Sequence, residues 1–330
     1  MTVAVLIVNW NGGDYLRRCL ESLEQQHRRP DHIVVVDNGS SDDSLQRAER
    51  VLRDVQLIRL TENAGFARAN NLAAQAARQF DALALLNPDA FAEPGWLAAL
   101  MTAAERQSTA ASFASQMRLA SAPEYLDGAG DSYHVSGRAW RNGHRVSVAD
   151  WPGVDTEVFA PCAAAALYRR DAFEEAGGFD EQYFCYFEDV DLGFRLRLLG
   201  YSCLYVHSAV VRHVSSGLAG YRSNFAVYHG ERNAVWTFVK DMPGSLFWLY
   251  LPQHVVLNAA ALVYYPWRGQ GTTALRAKID ALRGLPAILR RRRLIQRARR
   301  VNVGTLRRAF IRGAAAPYLA RYSVESSARP

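Results

Sequence analysis

The stretch VAVLIVNWNGGDYLRRCLESL, residues 3–23, joins an unbroken aliphatic run, Val3 to Val8, to a helical stripe of Tyr15, Leu16, Cys19, Leu20 and Leu23. A strand with no polar alternation is covered on both faces, as in a parallel sheet. The pattern then repeats. Ile33 to Val36 runs into Asp37-Asn38-Gly39-Ser40, a strong turn signal, and a polar helical stretch follows. Val55 to Leu60, a helix from about Phe66 to Gln79, and Leu83 to Leu86 closing at Asn87-Pro88-Asp89 continue the alternation. Strands separated by helix-length segments predict an α/β fold with a mainly parallel, Rossmann-like sheet and helices on both faces. Three of the four strands end in polar clusters: Asn9/Asn11, Asp37/Asn38 and Asn87/Asp89. Open sheets of this kind bind ligands beyond the C-terminal ends of their strands, so these clusters are the first candidate site.

Composition narrows the function. With 49% hydrophobic and 22% charged residues in 330, the chain is globular, and disorder is excluded as its main state. Cys19, Cys162, Cys185 and Cys203 are scattered without metal-binding spacing and read as free buried thiols of a reducing compartment. The opening MTVAVLIVNW lacks a basic leader and reads as a strand, which places the expected site of action in the cytoplasm. The net charge of +7 is unevenly distributed. From Arg276 onward there are 15 basic residues against Asp280 and Glu325, whereas the first 275 residues hold 24 basic and 30 acidic ones. An acidic body argues against nucleic acid as a partner, and the basic tail calls for its own explanation.

The first strand-to-helix turn, NWNGGDYL, has no GxGxxG, and no GxxxxGK[ST] occurs anywhere. Phosphates in this site therefore need something other than a glycine-rich nest, and a cation held by carboxylates is the usual substitute. Residues 110–170, with Gly128, Gly130, Gly137, Gly143 and Gly153, read as strands and loops forming one wall of a cleft. CAAAALYRRDAF (162–173) ends in an expected helix cap at Asp171. In GGFDEQYFCYFEDVDLGFRLRLLGY (177–201), Leu192, Leu196 and Leu199 form one stripe, and Asp191 and Arg195 pair at i and i+4. Glu188 and Asp189 fall at that helix's N-terminus, where the dipole is expected to keep carboxylates ionised.

The motifs VNWN (8–11), VDNGS (36–40), ENAGFARANN (62–71), LNPDA (86–90), GGFDEQYFCYFEDVDLGFR (177–195) and RHVSSG (212–217) occur in an order that resembles the inverting glycosyltransferases of family 2, which have a GT-A fold. The resemblance covers Val3 to about Lys240. It implies a catalytic domain over 1–240, with a nucleotide-binding part at about 1–110 and an acceptor-binding part at about 111–240. Within the family, the NPD motif and FEDVDLGFR look most like the rhamnosyltransferases that build bacterial cell-surface polysaccharides from dTDP-rhamnose. The resemblance gives Asp37 to the pyrimidine base, with Asn9 and Asn11 in the same pocket, and puts Asn63, Arg68 and Asn71 near the nucleotide. It assigns Asp89 and His213 to a divalent cation, Mg²⁺ or Mn²⁺. Asn87 stands where relatives carry an aspartate, which lowers the charge of that site. It gives the base that deprotonates the acceptor hydroxyl to Asp189, with Glu188 and Asp191 close enough to compete for the role.

Each motif alone has a plainer reading: turns at Asp37-Asn38-Gly39 and Asn87-Pro88-Asp89, a satisfied structural histidine at His213, and no identifiable partner for His134, His144 or His229. A nucleotidyltransferase and a catalytically silent scaffold of the same fold are the rival readings. The first would need a glycine-rich basic loop after the first strand. The second leaves the joint presence of Asp37, Asp89, Asp189 and His213 unexplained.

The tail, 241–330, is expected to be helical and membrane-associating. Ser245 to Trp267 holds no Asp, Glu, Lys or Arg, long enough to span a bilayer, but Pro252 is expected to split it. Arg290 to Arg293, Arg297, Arg299 and Arg300 follow, interleaved with Leu282, Leu285, Ile288 and Leu289. Apolar stripes beside arginines suit an anionic lipid surface, with a solvated or RNA-contacting helix as the alternative. The partners expected are thus a nucleotide-sugar donor, a lipid-linked saccharide acceptor and the anionic inner face of the cell membrane.

Overall fold

The computed structural model describes residues 1–52, 55–215, 223–313 and 316. Along the chain run β1 (Val3–Asn9), α1 (Asp14–Glu24), β2 (His32–Asp37), α2 (Ser44–Arg47), β3 (Gln56–Arg59), α3 (Phe66–Ala76), β4 (Ala82–Leu86), β5 (Ala90–Ala92) and α4 (Trp96–Arg106). There follow β6 (Ala110–Leu119), β7 (Ala122–Ala129), β8 (Asp131–Tyr133), β9 (Ala139–Arg141), β10 (Thr156–Val158), β11 (Ala165–Arg169), α5 (Arg170–Glu175), α6 (Glu188–Leu199) and β12 (Ser202–His213). Four helices close the described chain: α7 (Asn224–Asp241), α8 (Gly244–Tyr264), α9 (Gly271–Ala298) and α10 (Val303–Arg308).

The main sheet has the order β10-β12-β6-β11-β4-β1-β2-β3. β3, β2, β1 and β4 are mutually parallel, β11 enters antiparallel between β4 and β6, and β12 runs parallel to β6. Alternate residues of β1 feed two cores, as the unbroken apolar run requires. Val3, Val5 and Ile7 pack with Leu16, Leu20, Leu97 and Leu100 on one face; Ala4, Leu6 and Val8 pack with Ala73, Phe173, Leu192 and Leu196 on the other.

The helix expected to be capped by Asp171 starts two residues earlier, at Arg170. Arg169 is the extended residue at its N-cap, and Asp171 lies in the first turn with its carboxylate on the Ala172 N–H. Arg170 turns back and closes α3, its guanidinium donating to the carbonyls of Ala74, Ala77 and Phe80.

The C-terminal helices share a core with the sheet domain. Phe238, Met242, Leu246, Tyr250, Leu306 and Phe310 pack with Tyr133, Phe159 and Phe194. The boundary expected at 240 falls within the last turn of α7. Pro252 does not split the apolar segment: α8 runs unbroken through it. By length and composition this helix could cross a membrane, with a mean hydropathy of 1.4 over its best window, but Leu246, Tyr250 and His254 are buried against the protein. Of the arginine run, Arg291 pairs with Asp180, and Arg292 donates to the carbonyls of Val239 and Met242 at the end of α7.

A buried charge cluster joins these layers. Asp191 on α6 has no exposure and binds the guanidinium of Arg195 at 2.6 Å and the ammonium of Lys240 on α7; Lys240 also binds Asp180 at 2.7 Å. Removing one partner of a buried pair costs about 3–5 kcal/mol, because the other charge stays behind. Lys240→Ala is expected to lower unfolding stability by about that much, as read by chemical denaturation.

His254 gives a pH dependence. Its ring stacks on Phe238 at 4.0 Å and its Nδ1 bonds the Ser136 carbonyl at 2.7 Å, while burial lowers its pKa to about 4. The unfolded chain, near 6.5, binds the proton first, so this residue's contribution to stability falls as pH drops from about 6.5 towards 4. Between pH 7 and pH 5 that loss is about 2 kcal/mol. His254→Gln is expected to flatten the stability–pH curve over that range by a comparable amount.

Candidate active site

The parallel register aligns Asn9 with Asp37, so the ends of β1 and β2 place both side chains at one edge of the sheet. The Asn9 amide donates to Asp37 Oδ1 at 3.0 Å, Ser40 Oγ at 3.1 Å and Ser44 Oγ at 2.9 Å. Asn9 has no exposure, so it sets the Asp37 carboxylate. Asn11, at φ +52°, accepts the Ser41 N–H at 2.8 Å and pins the loop after β2. Asn38 bonds Asn63 Oδ1 at 2.9 Å and accepts the Ala64 N–H at 2.8 Å, tying this loop to the entry of α3. Arg68 is exposed on the first turn of α3. Asn71 faces the other way: its amide donates to the Phe179 carbonyl at 2.8 Å and its oxygen accepts the Phe179 N–H at 2.9 Å, bracing the segment before α6.

The next cluster follows from one short ladder. β5 pairs antiparallel with β12, His213 opposite Ala90, and the Val214 N–H bonds the Asp89 carbonyl at 2.9 Å. His213 Nε2 therefore lies 3.3 Å from Asp89 Oδ1, with both residues buried. Its Nδ1 bonds Asp127 Oδ2 at 2.8 Å. Burial pulls the imidazole down, but its hydrogen bonds to Asp127 and Asp89, and their charges, outweigh that and lift its pKa to about 9. Asn87 starts the same turn, its N–H on the Ala164 carbonyl at 2.8 Å.

Asp127 was not foreseen from sequence, nor were Asp131 and Arg141. Asp127 has no exposure and accepts Arg141 Nη1 at 2.6 Å. Burial works against its charge, but Arg141, His144 and His213 outweigh it and hold the carboxyl well below the usual range. His144 bonds the Asp127 carbonyl at 2.9 Å, and His134 bonds Ser136 at 2.8 Å, so both have partners. The available signal was LDGAGD (126–131), two acids embedded among glycines.

The third group sits at the start of α6. Asp189 Oδ2 accepts the Ala163 N–H at 3.0 Å and Oδ1 accepts the Val190 N–H at 2.8 Å. Burial raises its pKa against those two bonds and the Arg141 charge. Glu188 is pushed well up by burial and by the Asp189 charge, and its Oε2 has no partner among the described residues. Burial therefore outweighs the helix dipole that was expected to keep these two carboxylates ionised. Asp191 lies about 200° around the helix from Asp189. Burial would raise it, but Arg195 and Lys240 hold it well below the usual range. His229, half of a stack with Phe184 at 5.3 Å, belongs to the same wall.

The loop entering α6 is strained. Phe184, Tyr186 and Phe187 all have φ near +67°, which costs about 1–3 kcal/mol apiece for such residues. One side chain cradles it: the fully buried Asn233 donates to the carbonyls of Tyr183 at 3.0 Å, Cys185 at 3.0 Å and Tyr186 at 2.7 Å. Gly65, at φ +87°, lets Phe184 lie against the entry of α3, where a Cβ would come within 2.6 Å of the ring. Ser216 and Gly217 of RHVSSG lie outside the described residues.

A mainly parallel β3-β2-β1-β4 sheet with β11 antiparallel between β4 and β6, an asparagine–aspartate pair at its strand ends and a carboxylate at the start of α6 is the arrangement of a GT-A glycosyltransferase. The model for Glycosyl transferase family 2 matches residues 4–177, more than half of the chain, and the chain belongs to that family. A Mycobacterium tuberculosis N-acetylglucosaminyl-diphospho-decaprenol L-rhamnosyltransferase is 30% identical over 266 residues, 70% of this chain and 85% of that protein. The Salmonella typhimurium O-antigen chain rhamnosyltransferase RfbN is 25% identical over 216 residues, 64% of this chain and 66% of that one. Mannosyltransferase PcManGT from Pyrobaculum calidifontis, in complex with GDP-Man and Mn²⁺, matches with a TM-score of 0.54 at 16% identity, over 85% of this chain and 86% of that one. GalNAc-T7, crystallised with UDP, GalNAc and Mn²⁺, matches with a TM-score of 0.60 at 18% identity over 73% of this chain, which spans about half (48%) of that protein. At these identities the two structures share its fold.

Asn233→Asp keeps the shape but turns a donor into an acceptor facing three carbonyls. The expected result is a loss of at least about 2 kcal/mol in stability, read by denaturation, and a fall in turnover per folded molecule.

Proposed function

We propose that this glycosyltransferase moves rhamnose from dTDP-rhamnose, with inversion, to a hydroxyl of a lipid-linked saccharide in bacterial cell-surface polysaccharide synthesis. The observation that carries the reading is the chain of contacts running from Asp89 through His213 and Asp127 to Arg141, whose charge also acts on Asp189. The names of the mycobacterial and Salmonella relatives support rhamnose and, for the first, a polyprenyl diphosphate acceptor.

In this reading Asp37 holds the base of the nucleotide, with Asn9 orienting it. Asn11, Asn63, Arg68 and Asn87 line the nucleotide and diphosphate side, and Asn71 braces the wall behind them. The donor set at the phosphate end fits a divalent cation, Mg²⁺ or Mn²⁺. Among the described residues no group of three or more acidic, His or Cys side chains is arranged to hold a metal alone. One carboxylate and one imidazole completed by diphosphate oxygens is, however, a normal set for such an ion. Asp127 on His213 Nδ1 turns Nε2 towards Asp89, as an outer partner of a metal-bound histidine does. When bound, the cation would neutralise the charge that grows on the leaving diphosphate.

Asp189 takes the proton of the acceptor hydroxyl as that oxygen attacks the anomeric carbon from the face opposite the diphosphate. Its raised pKa suits a base that receives the proton late, as the bond forms. Burial and the Asp189 charge raise the Glu188 pKa, which disfavours a second negative charge beside the base. Asp191 orients the helix instead.

The proposed catalytic unit spans 1–240, with nucleotide contacts in 1–110 and acceptor contacts in 111–240; the 241–330 region holds it on the anionic inner face of the cell membrane from the cytoplasm. On α8, Trp248, Val255, Val256 and Val263 are exposed, as is Trp267 just beyond its end. On α9, exposed Leu275, Leu282 and Leu289 run beside Arg276, Arg283, Arg290 and Arg297, both rows stepping by seven residues. Two parallel rows, one apolar and one cationic, suit the boundary between acyl chains and phosphate headgroups. Because the opposite stripe of α8 packs on α7, the helix lies on the surface in this reading.

Asp189→Asn is expected to abolish transfer while nucleotide binding persists, and Asp89→Ala to weaken cation-dependent binding of dTDP at least tenfold. Calorimetry with dTDP, UDP and GDP, each with Mg²⁺ and with EDTA, reads the second. A preference for UDP or GDP would remove rhamnose, and near-normal turnover by Asp189→Asn would remove the base. Flotation with phosphatidylglycerol vesicles should be lost when Arg276, Arg283, Arg290 and Arg297 are changed together to Gln.

A further inference from the structure

The two ends of the cleft are joined by a row of charges that neither the nucleotide nor the base accounts for. From the phosphate end it runs His213, Asp127, Arg141, Asp131, Asp189. His213 is bonded to Asp127 and Asp127 to Arg141 at 2.6 Å. Asp131 and Arg141 are directly opposite in the β8–β9 ladder, so their side chains emerge on the same face. The Ala160 carbonyl accepts the Asp131 N–H at 2.8 Å, and three residues on, Ala163 supplies its N–H to Asp189. This places Asp131 beside the base.

Two polar groups in this row are left open. Asp131 is 6% exposed, and its Oδ1 has no hydrogen-bond partner among the described residues. Among the described residues Arg141 uses only Nη1, on Asp127, and its side chain is 33% exposed. Gly128 makes room for it: a Cβ there would sit 3.2 Å from Arg141 Cδ. A buried carboxyl with an unfilled lone pair is costly unless something else fills it. In-line displacement puts the transferring sugar between the leaving diphosphate and the base, and this row runs between the residues read as those two ends.

We infer that Asp131 and Arg141 form the subsite for the hydroxyl groups of the donor's sugar, the carboxyl pairing with one hydroxyl and the free guanidinium edge donating to a neighbouring sugar oxygen. The inference rests on the reading of Asp89 and Asp189 as the two ends of the transfer path. Burial, with the Asp189 charge, raises the Asp131 pKa well above the usual carboxyl value, against the pull of Arg141, so it can donate as well as accept. Contacts of this kind recognise the pyranose and ignore the nucleotide.

The test titrates dTDP-rhamnose and dTDP separately into the Mn²⁺-supplied full chain and measures the donor KM. Asp131→Ala should weaken dTDP-rhamnose binding and raise its KM about ten- to a hundredfold while leaving dTDP affinity within about twofold. Asp131→Asn, which restores a donor and an acceptor, should recover most of that loss. Arg141→Lys, which keeps the charge beside Asp127 but lacks the fork, should show the same selective loss. Equal weakening of dTDP and dTDP-rhamnose in Asp131→Ala, or unchanged donor binding, would overturn the subsite and leave Asp131 a structural group. If the unmodified chain binds dTDP but gains nothing from the sugar, the subsite likewise fails. If it binds neither, while a UDP- or GDP-sugar supports turnover, the choice of rhamnose fails and the same comparison with that sugar nucleotide and its own diphosphate decides the subsite.

Discussion

The contact between Asp191 and Lys240 constrains the rest of the molecule. Both side chains are fully buried, and each holds a second partner, Arg195 and Asp180 respectively. In a low-dielectric interior such charges tolerate little displacement, so the rotation and depth of α6 against α7 are set. Asp189, two residues before Asp191, inherits that rotation and faces the cleft because Asp191 faces inward. The same lock reaches the tail, since Arg291 meets Asp180 and Arg292 closes the end of α7 that carries Lys240.

Electrostatics inside the cleft follow from unequal neutralisation. Asp127 is surrounded by Arg141, His213 and His144 and stays ionised, while Asp131, Glu188 and Asp189 have too little positive charge nearby to offset burial. One end is thus charged and the other is poised to hold protons. That gradient suits a reaction that releases an anion at one end and accepts a proton at the other.

Much of this was legible in the sequence because it depends on local periodicity and on strand ends. The unbroken runs at Val3, Ile33 and Leu83 predict the parallel sheet, and their polar ends predict the Asn9–Asp37 pocket. What was not legible depends on long-range register. Asp127 reaches His213 across 86 residues, and Asp131 meets Arg141 only through a hairpin of three residue pairs in a region whose glycines suggested loops. Asn71 looked like a nucleotide contact because it shares a motif with Asn63, yet it lies eight residues further on, inside α3, where its side chain meets Phe179. Pro252 was misread for a physical reason: a proline predicts a break only if nothing else holds the helix, and here buried Leu246, Tyr250 and His254 hold both sides of it.

The arginines of the tail show how one composition serves two purposes. In sequence, Arg290 to Arg293 form one basic run. On a helix, successive residues turn about 100°, so the run cannot face one way. Arg291 and Arg292 turn inward to Asp180 and the carbonyls ending α7, whereas Arg290 and Arg293 are exposed. Charge counting therefore overstates what the tail can offer a membrane and understates what it does for the fold. The inward pair ties α9 to the helices that orient Asp189. A surface that engaged the outward row would thus be mechanically joined to the cleft through α9, with no separate linker between them.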